Sequence, residues 1–283
     1  MIKKIGIIGA GTMGSGIASA SAISGFTTYL YDLYPEALEK AKSNIVKGYA
    51  KLEEKGKINS DERSNAESNL HIANELNVLS DCDIIIEAAI EDIELKKELY
   101  KKLDEITKSE TILATNTSSF SITSISTAVK NNPGRVVGMH FFNPANIMKL
   151  VEVIKGEFTS EETVSITMDL CKKLGKVPVI CKDTPAFIVN RVARAFYGES
   201  LKIMSEENLS AEVIDSVMKE EGGFAMGPFE LMDLIGIDIN LSVTKSVYEA
   251  FFYDQKYKPS PIQQKMVDSG LLGRKTKQGF YKY

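Results

Sequence analysis

Tryptophan is absent from these 283 residues, histidine occurs twice and cysteine three times. Each scarcity narrows the chemistry. Cys82, Cys171 and Cys181 are odd in number and contain no C-x-x-C pair, so zinc-site, redox-motif and disulfide-framework readings fall away and no metal is expected. They read as packing residues in a reducing compartment. No apolar run approaches the roughly 18 residues of a membrane span, and residues 1–9 turn glycine-rich too early for a signal-peptide core. Charge of one sign is lacking too: 34 basic and 38 acidic residues leave a net charge of −4 with no long block, which gives no footprint for nucleic acid. A cytoplasmic protein with neither membrane nor nucleic-acid partner is expected.

With 43% hydrophobic and 25% charged residues, the chain is an ordinary globular protein long enough for about two domains. Short apolar runs at 3–8, 26–31, 83–87, 111–114, 135–139 and 150–154 alternate with amphipathic stretches, the pattern of a parallel sheet between helices. Residues 35–69 read as helix for longer than a crossover needs, so an inserted helical hairpin is expected there. Beyond Asp183-Thr184-Pro185 strand signals stop. Helices are expected at 185–206, 211–221, 228–235 and 239–253, with Thr184 capping the first and Ser210, Pro228 and Asp238 marking later starts. The fold class is therefore α/β, a Rossmann-like mostly parallel sheet with an inserted hairpin over residues 1–183, followed by an all-α C-terminal domain over 184–283.

Gly9-Ala10-Gly11-Thr12-Met13-Gly14 is a G-x-G-x-x-G turn between a strand and an apolar helix, with Asp32 at the end of the next strand. The first glycine permits the turn, the second admits a pyrophosphate, and the third lets helix pack on strand. Asp32 would accept the adenine ribose hydroxyls, and Leu33-Tyr34 offers no arginine for a 2′-phosphate, so NAD is the expected cofactor. Oxidising an alcohol also needs a proton acceptor, for which histidine is suited. His71 sits on a short expected strand and reads as structural. His140 follows a strand at the carboxyl edge, where parallel sheets hold ligands.

The string His140-Phe141-Phe142-Asn143-Pro144, followed by residues 148–154, resembles the signature of the 3-hydroxyacyl-CoA dehydrogenase family, including its bacterial 3-hydroxybutyryl-CoA members. So do residues 87–91, 116–119, 184–191, 226–231 and the tail from Gly273 to Tyr281. The resemblance implies that His140 is the general acid/base, paired with Glu152, and that Ser118 and Asn190 meet the substrate, with Ser119 an adjacent alternative to Ser118. It implies cofactor contacts from Glu91, Lys96, Asn116, Asn143 and Lys275. It also places an acyl-CoA against the hairpin, where Lys47, Lys51 and Lys55 recur every four residues with Lys57 nearby; Lys55 is the first choice for the CoA phosphates and Lys51 the second.

A homodimer formed through the helical domain is implied as well, with Phe187, Val192, Phe196 and Leu201 offering apolar surface. Ala225 stands where relatives acting on 3-hydroxyadipyl-CoA often carry arginine, so a short uncharged acyl chain is expected. Other readings are a 3-hydroxyadipyl-CoA dehydrogenase, an enzyme acting on free hydroxyacids, and a non-catalytic crystallin-like NAD-binding relative.

Overall fold

The computed structural model describes residues 2–283, which divide into two compact units meeting between Thr184 and Pro185. The first begins with β1 (Lys4–Ile8), α1 (Thr12–Ile23) and β2 (Thr27–Tyr31). The hairpin follows as α2 (Pro35–Glu54) and α3 (Ser60–Ser68), before β3 (Leu70–Ala73) returns the chain to the sheet. Then come β4 (Ile84–Glu87), α4 (Ile93–Ile106), β5 (Ile112–Thr115), α5 (Ile122–Ser126), β6 (Val136–Phe141), β7 (Leu150–Lys155), α6 (Glu161–Lys173) and β8 (Val177–Lys182).

The eight strands lie in the order β3-β2-β1-β4-β5-β6-β7-β8, parallel throughout except that β6 and β7 are antiparallel. Six parallel strands in a 3-2-1-4-5-6 order make a doubly wound sheet whose direction of winding reverses beside β1, where ligands sit outside the carboxyl ends of the strands. Strands covered on both faces must be apolar throughout, and Ile84, Ile85 and Ile86 of β4 are all fully buried. The inserted hairpin is real. Leu38, Ala41, Ile45 and Tyr49 form the buried stripe of α2, and the Tyr49 hydroxyl donates to Ser19 O of α1 at 2.8 Å. Asn59 and Glu62 form a reciprocal capping box that starts α3.

Several details differ from the sequence reading. His140 lies within β6, not after it, because the strand continues to Phe141. The strand β8 was not expected; Pro178 discourages a strand, but β8 is the sheet edge, where a missing N–H costs least. His71 lies on β3 with its ring stacked 5.2 Å from Tyr29, and all three thiols are buried, with desolvation pushing each up to about 12.

The second unit is helical: α7 (Val189–Glu206), α8 (Ala211–Glu220), α9 (Pro228–Ile235), α10 (Ile237–Ala250) and α11 (Pro261–Asp268). Here α7 starts four residues after Pro185, since Ala186 and Phe187 adopt left-handed φ values of 64° and 48° that break the turn Thr184 was expected to cap. Asp183 instead caps α5, accepting from Ser121 Oγ and from the N–H groups of Ile122 and Thr123 at 2.7–3.0 Å. Asp238, expected to start a helix, falls inside the first turn of α10, and Gly236 both ends α9 and starts α10. The helix α11, capped by Ser260 before Pro261, was not expected.

Leu201 is buried in this unit's own core and Phe187 is buried as well, so neither offers the apolar surface expected of it; Val192 is exposed. Two buried aspartates organise the unit. Asp215 accepts from Phe229 N, Glu230 N and Tyr281 Oη, and Asp233 from Phe280 N, Tyr281 N and Tyr283 Oη. These bonds explain why the 226–231 and 273–281 strings matter here as architecture. Among the described residues no helix is long and apolar enough to cross a membrane.

Candidate active site

The glycine turn joins β1 to α1. Gly9 has φ 103°, and a side chain there would meet Ala88 O at 2.5 Å. At Gly14 a Cβ would lie 1.8 Å from Gly9 O, whereas at Gly11 nothing stands within 4 Å. The outer two glycines close the turn against protein, and the middle one leaves open space at the helix N-terminus. That is the space a pyrophosphate needs. Thr12 and Met13 form the first residues of α1. Asp32, just beyond β2, accepts from Ala10 N through Oδ2 at 2.6 Å and from Tyr34 N through Oδ1 at 3.0 Å. Its carboxylate is thus held beside the turn, and the residues present fit a dinucleotide with unmodified ribose hydroxyls.

Three strands along the sheet from β1, the antiparallel pairing of β6 with β7 sets His140 directly opposite Glu152. Cross-strand partners project from the same face. The result is a hydrogen bond of 2.8 Å between His140 Nδ1 and Glu152 Oε2, with both side chains buried. Phe142 packs against the imidazole, ring centres 4.7 Å apart. A carboxylate accepting a hydrogen bond from Nδ1–H fixes the tautomer, leaves Nε2 as the basic nitrogen, and stabilises the imidazolium once it forms.

Between turn and dyad, the loops after β4 and β5 carry Glu91 and residues 116–119. Asn116 Oδ1 accepts from Phe141 N at 2.8 Å, tying the β5 loop to the end of β6. Glu91 Oε1 accepts from Thr117 Oγ1, Ser118 N and Ser119 Oγ at 2.5, 3.0 and 3.0 Å. Lys96, expected to contact the cofactor, is buried and paired with Glu87. Glu87, buried beneath these loops, was not singled out from the sequence. Its signal was there: an acid closing the otherwise apolar run Ile84-Ile85-Ile86.

Asn143 lies in the loop after β6, whose next residues border a groove of about 990 Å³ formed with α1 and α2. Its walls include Gly11, Thr12, Ser15, Pro144 and Asn146, together with Lys40, Lys51, Lys55, Lys57 and Lys176, and no acidic side chain. The structure therefore gathers Lys51 and Lys55 with Gly11 around one groove, and it adds Lys40 and Lys176, which sequence reading passed over. Lys47 stands outside it. Lys176 is buried, donating to Ala145 O and Met148 O at 2.6 and 2.9 Å, and desolvation lowers its pKa.

Asn190 and Lys275 belong to the helical unit. Asn190 occupies the first turn of α7, and Lys275 Nζ donates to Asp238 Oδ2 at 2.6 Å.

Residues 4–184 match the profile of the 3-hydroxyacyl-CoA dehydrogenase NAD binding domain, and residues 187–283 that family's C-terminal domain. A probable 3-hydroxybutyryl-CoA dehydrogenase of Deinococcus radiodurans is 43% identical over 99% of this chain and 100% of its own length. A 3-hydroxyadipyl-CoA dehydrogenase of Escherichia coli is also 43% identical over 99% of this chain, which spans 59% of that protein. The crystal structure of an (S)-3-hydroxybutyryl-CoA dehydrogenase from Ralstonia eutropha superposes with a TM-score of 0.95 at 38% identity, covering 100% of this chain and 99% of the other.

Proposed function

Because the chain belongs to the 3-hydroxyacyl-CoA dehydrogenase family and is an NAD-dependent oxidoreductase of that kind, we propose that it interconverts short-chain (S)-3-hydroxyacyl-CoA, 3-hydroxybutyryl-CoA above all, and the 3-oxoacyl-CoA through the His140–Glu152 pair. The 2.8 Å bond between those two buried side chains at the carboxyl edge of the sheet carries the reading.

In oxidation, His140 Nε2 takes the proton of the 3-hydroxyl as the C3 hydride departs, and Glu152 stabilises the imidazolium so formed. In reduction the imidazolium returns that proton to the 3-oxygen. NAD supplies the hydride acceptor or, reduced, the donor. Gly9, Gly11, Thr12, Met13 and Gly14 would hold its pyrophosphate and Asp32 its adenine ribose, with Glu91, Asn116 and Asn143 as further contacts. Ser118 Oγ and the Asn190 amide donate to the 3-oxygen or thioester carbonyl. Lys51 and Lys55 face the CoA phosphates across the groove. The enzyme works as a cytoplasmic homodimer.

A second reading, oxidation of 3-hydroxyadipyl-CoA, is favoured by the Escherichia coli relative, whose identity equals that of the Deinococcus protein. Ala225 supplies no charge for a distal carboxylate, which supports the uncharged chain. Initial rates with NADH over acetoacetyl-CoA, longer 3-oxoacyl-CoAs and 3-oxoadipyl-CoA test both, with NADPH as the cofactor control. Fastest turnover of acetoacetyl-CoA is expected. A preference for 3-oxoadipyl-CoA would reverse the assignment of the acyl group.

A further inference from the structure

The loops after β4 and β5 are bound together by three charged groups. Glu87, fully buried at the end of β4, accepts from Ala89 N and Lys96 Nζ through Oε1 at 2.7 and 2.6 Å, and from Thr115 Oγ1 through Oε2 at 2.7 Å. The Lys96 ammonium, 2% exposed, reaches on to Glu91 Oε2 at 3.3 Å. Two carboxylates thus share one buried ammonium, leaving a net negative cluster.

Glu91 in turn divides the work of two hydroxyls. Ser119 Oγ donates to it at 3.0 Å, while Ser118 Oγ stands at 3.5 Å, the limit of a hydrogen bond. The Ser119 proton is committed to protein, and the weakly held Ser118 proton can turn to a substrate oxygen. We propose that Glu87 and Lys96 are positioning residues of the reaction: Glu87 holds Lys96 against Glu91, and the ionised Glu91 orders the Ser118–Ser119 turn so that Ser118 Oγ donates to the substrate. This rests on the reading of Ser118 as a substrate contact.

Burial would push the Glu91 carboxyl up, but the Lys96 charge and the donors Thr117, Ser118 and Ser119 hold it below the ordinary range. The groups bearing on it are Lys96 from α4, Glu87 beyond that ammonium, and the hydroxyls of the β5 loop. Its chain neighbour Asp92 is engaged elsewhere, accepting from the N–H groups of Glu94 and Leu95.

The double variant Glu87→Gln/Lys96→Met removes both charges of the buried pair, so no lone charge is stranded in the core. Without the ammonium, burial dominates and Glu91 stays protonated to higher pH. The double variant should therefore show an acidic limb in kcat/KM for acetoacetyl-CoA at higher pH than the wild type. The loss should be greatest at low pH and recover as pH rises, a dependence that a weakened cofactor contact alone would not produce. Adding Glu91→Gln should abolish the limb, since nothing is left there to titrate.

Superimposable wild-type and double-variant pH profiles would overturn the proposal. So would an unmoved profile accompanied by weaker NADH binding, which would make Lys96 a cofactor contact. Ser118→Ala, measured in parallel, separates the two readings. Wild-type turnover in that variant defeats the substrate role of Ser118 and the proposal with it. An impaired Ser118→Ala beside an unmoved limb defeats only the positioning.

Discussion

In the proposed reaction His140 carries more of the chemistry than any other residue, and its position follows from two local facts. It sits late in β6, and β7 returns antiparallel so that Glu152 is its direct partner. His140→Ala should lower kcat by about 10² to 10⁴, the usual scale for general acid–base help, with NADH affinity changed far less. Stopped-flow or steady-state rates with acetoacetyl-CoA and a fluorescence titration of NADH check both halves. Glu152→Gln keeps the shape and removes the charge, so its loss should not add to that of His140→Ala in the double variant. Independent, multiplying losses would separate the two side chains into unrelated roles.

At the scale of elements, the hairpin α2–α3 faces two ways. Its buried stripe is held by α1, and the lysines left over border the groove beside the glycine turn. Reversing charge with Lys51→Glu/Lys55→Glu should raise KM for acetoacetyl-CoA but leave KM for a truncated pantetheine thioester near the wild type, because only the full carrier has the nucleotide phosphates. Equal effects on both thioesters would point instead to a distorted hairpin.

A second element-level contact is Asp104 of α4. It accepts from Lys130 N and Asn131 N and pairs with Arg135 at 2.7 Å, where both side chains are buried. Burial pushes its carboxyl up, but these donors and the guanidinium outweigh it and leave the pKa lowered. A pKa depressed in the fold stabilises above the unfolded value and loses that contribution as pH falls through the folded one. Asp104→Asn should therefore cost about 3 kcal/mol at pH 7. The gap from wild type should close in acid denaturation below the ordinary carboxylate range. A gap constant with pH would refute the ionic account.

These elements also show where a sequence is readable. The alternation of apolar runs and amphipathic stretches made the sheet and hairpin legible, because burial on both faces or one stripe leaves a mark in residue order. The start of α7 was misread because Thr184-Pro185 has the composition of a helix start, while the left-handed backbone at Ala186 and Phe187 has no such mark. An edge strand that tolerates Pro178 likewise escapes a rule written for central strands.

For the whole molecule, the proposed homodimer gives a direct prediction. The helical unit exposes Val192, Val213, Val217, Ile239 and Phe252, more apolar side chain than a solitary helical unit needs. Light scattering coupled to size exclusion should return twice the 31.2 kDa chain mass at micromolar concentration. A clean monomer there would reject the dimer.

Residue order alone determined the glycine turn, the acid at Asp32, the short list of two histidines and the apolar skeleton, since each depends on local backbone geometry or on the scarcity of a residue type. Tertiary structure decided what distant residues do to one another. The register of β6 against β7 brought His140 to Glu152, and the packing of α4 below the β4 loop turned Lys96 from a residue of a charged helix into a buried ammonium held by Glu87 and Glu91. Contacts between residues far apart in the chain leave no periodic trace in it, because nothing in residue order records which strands become neighbours.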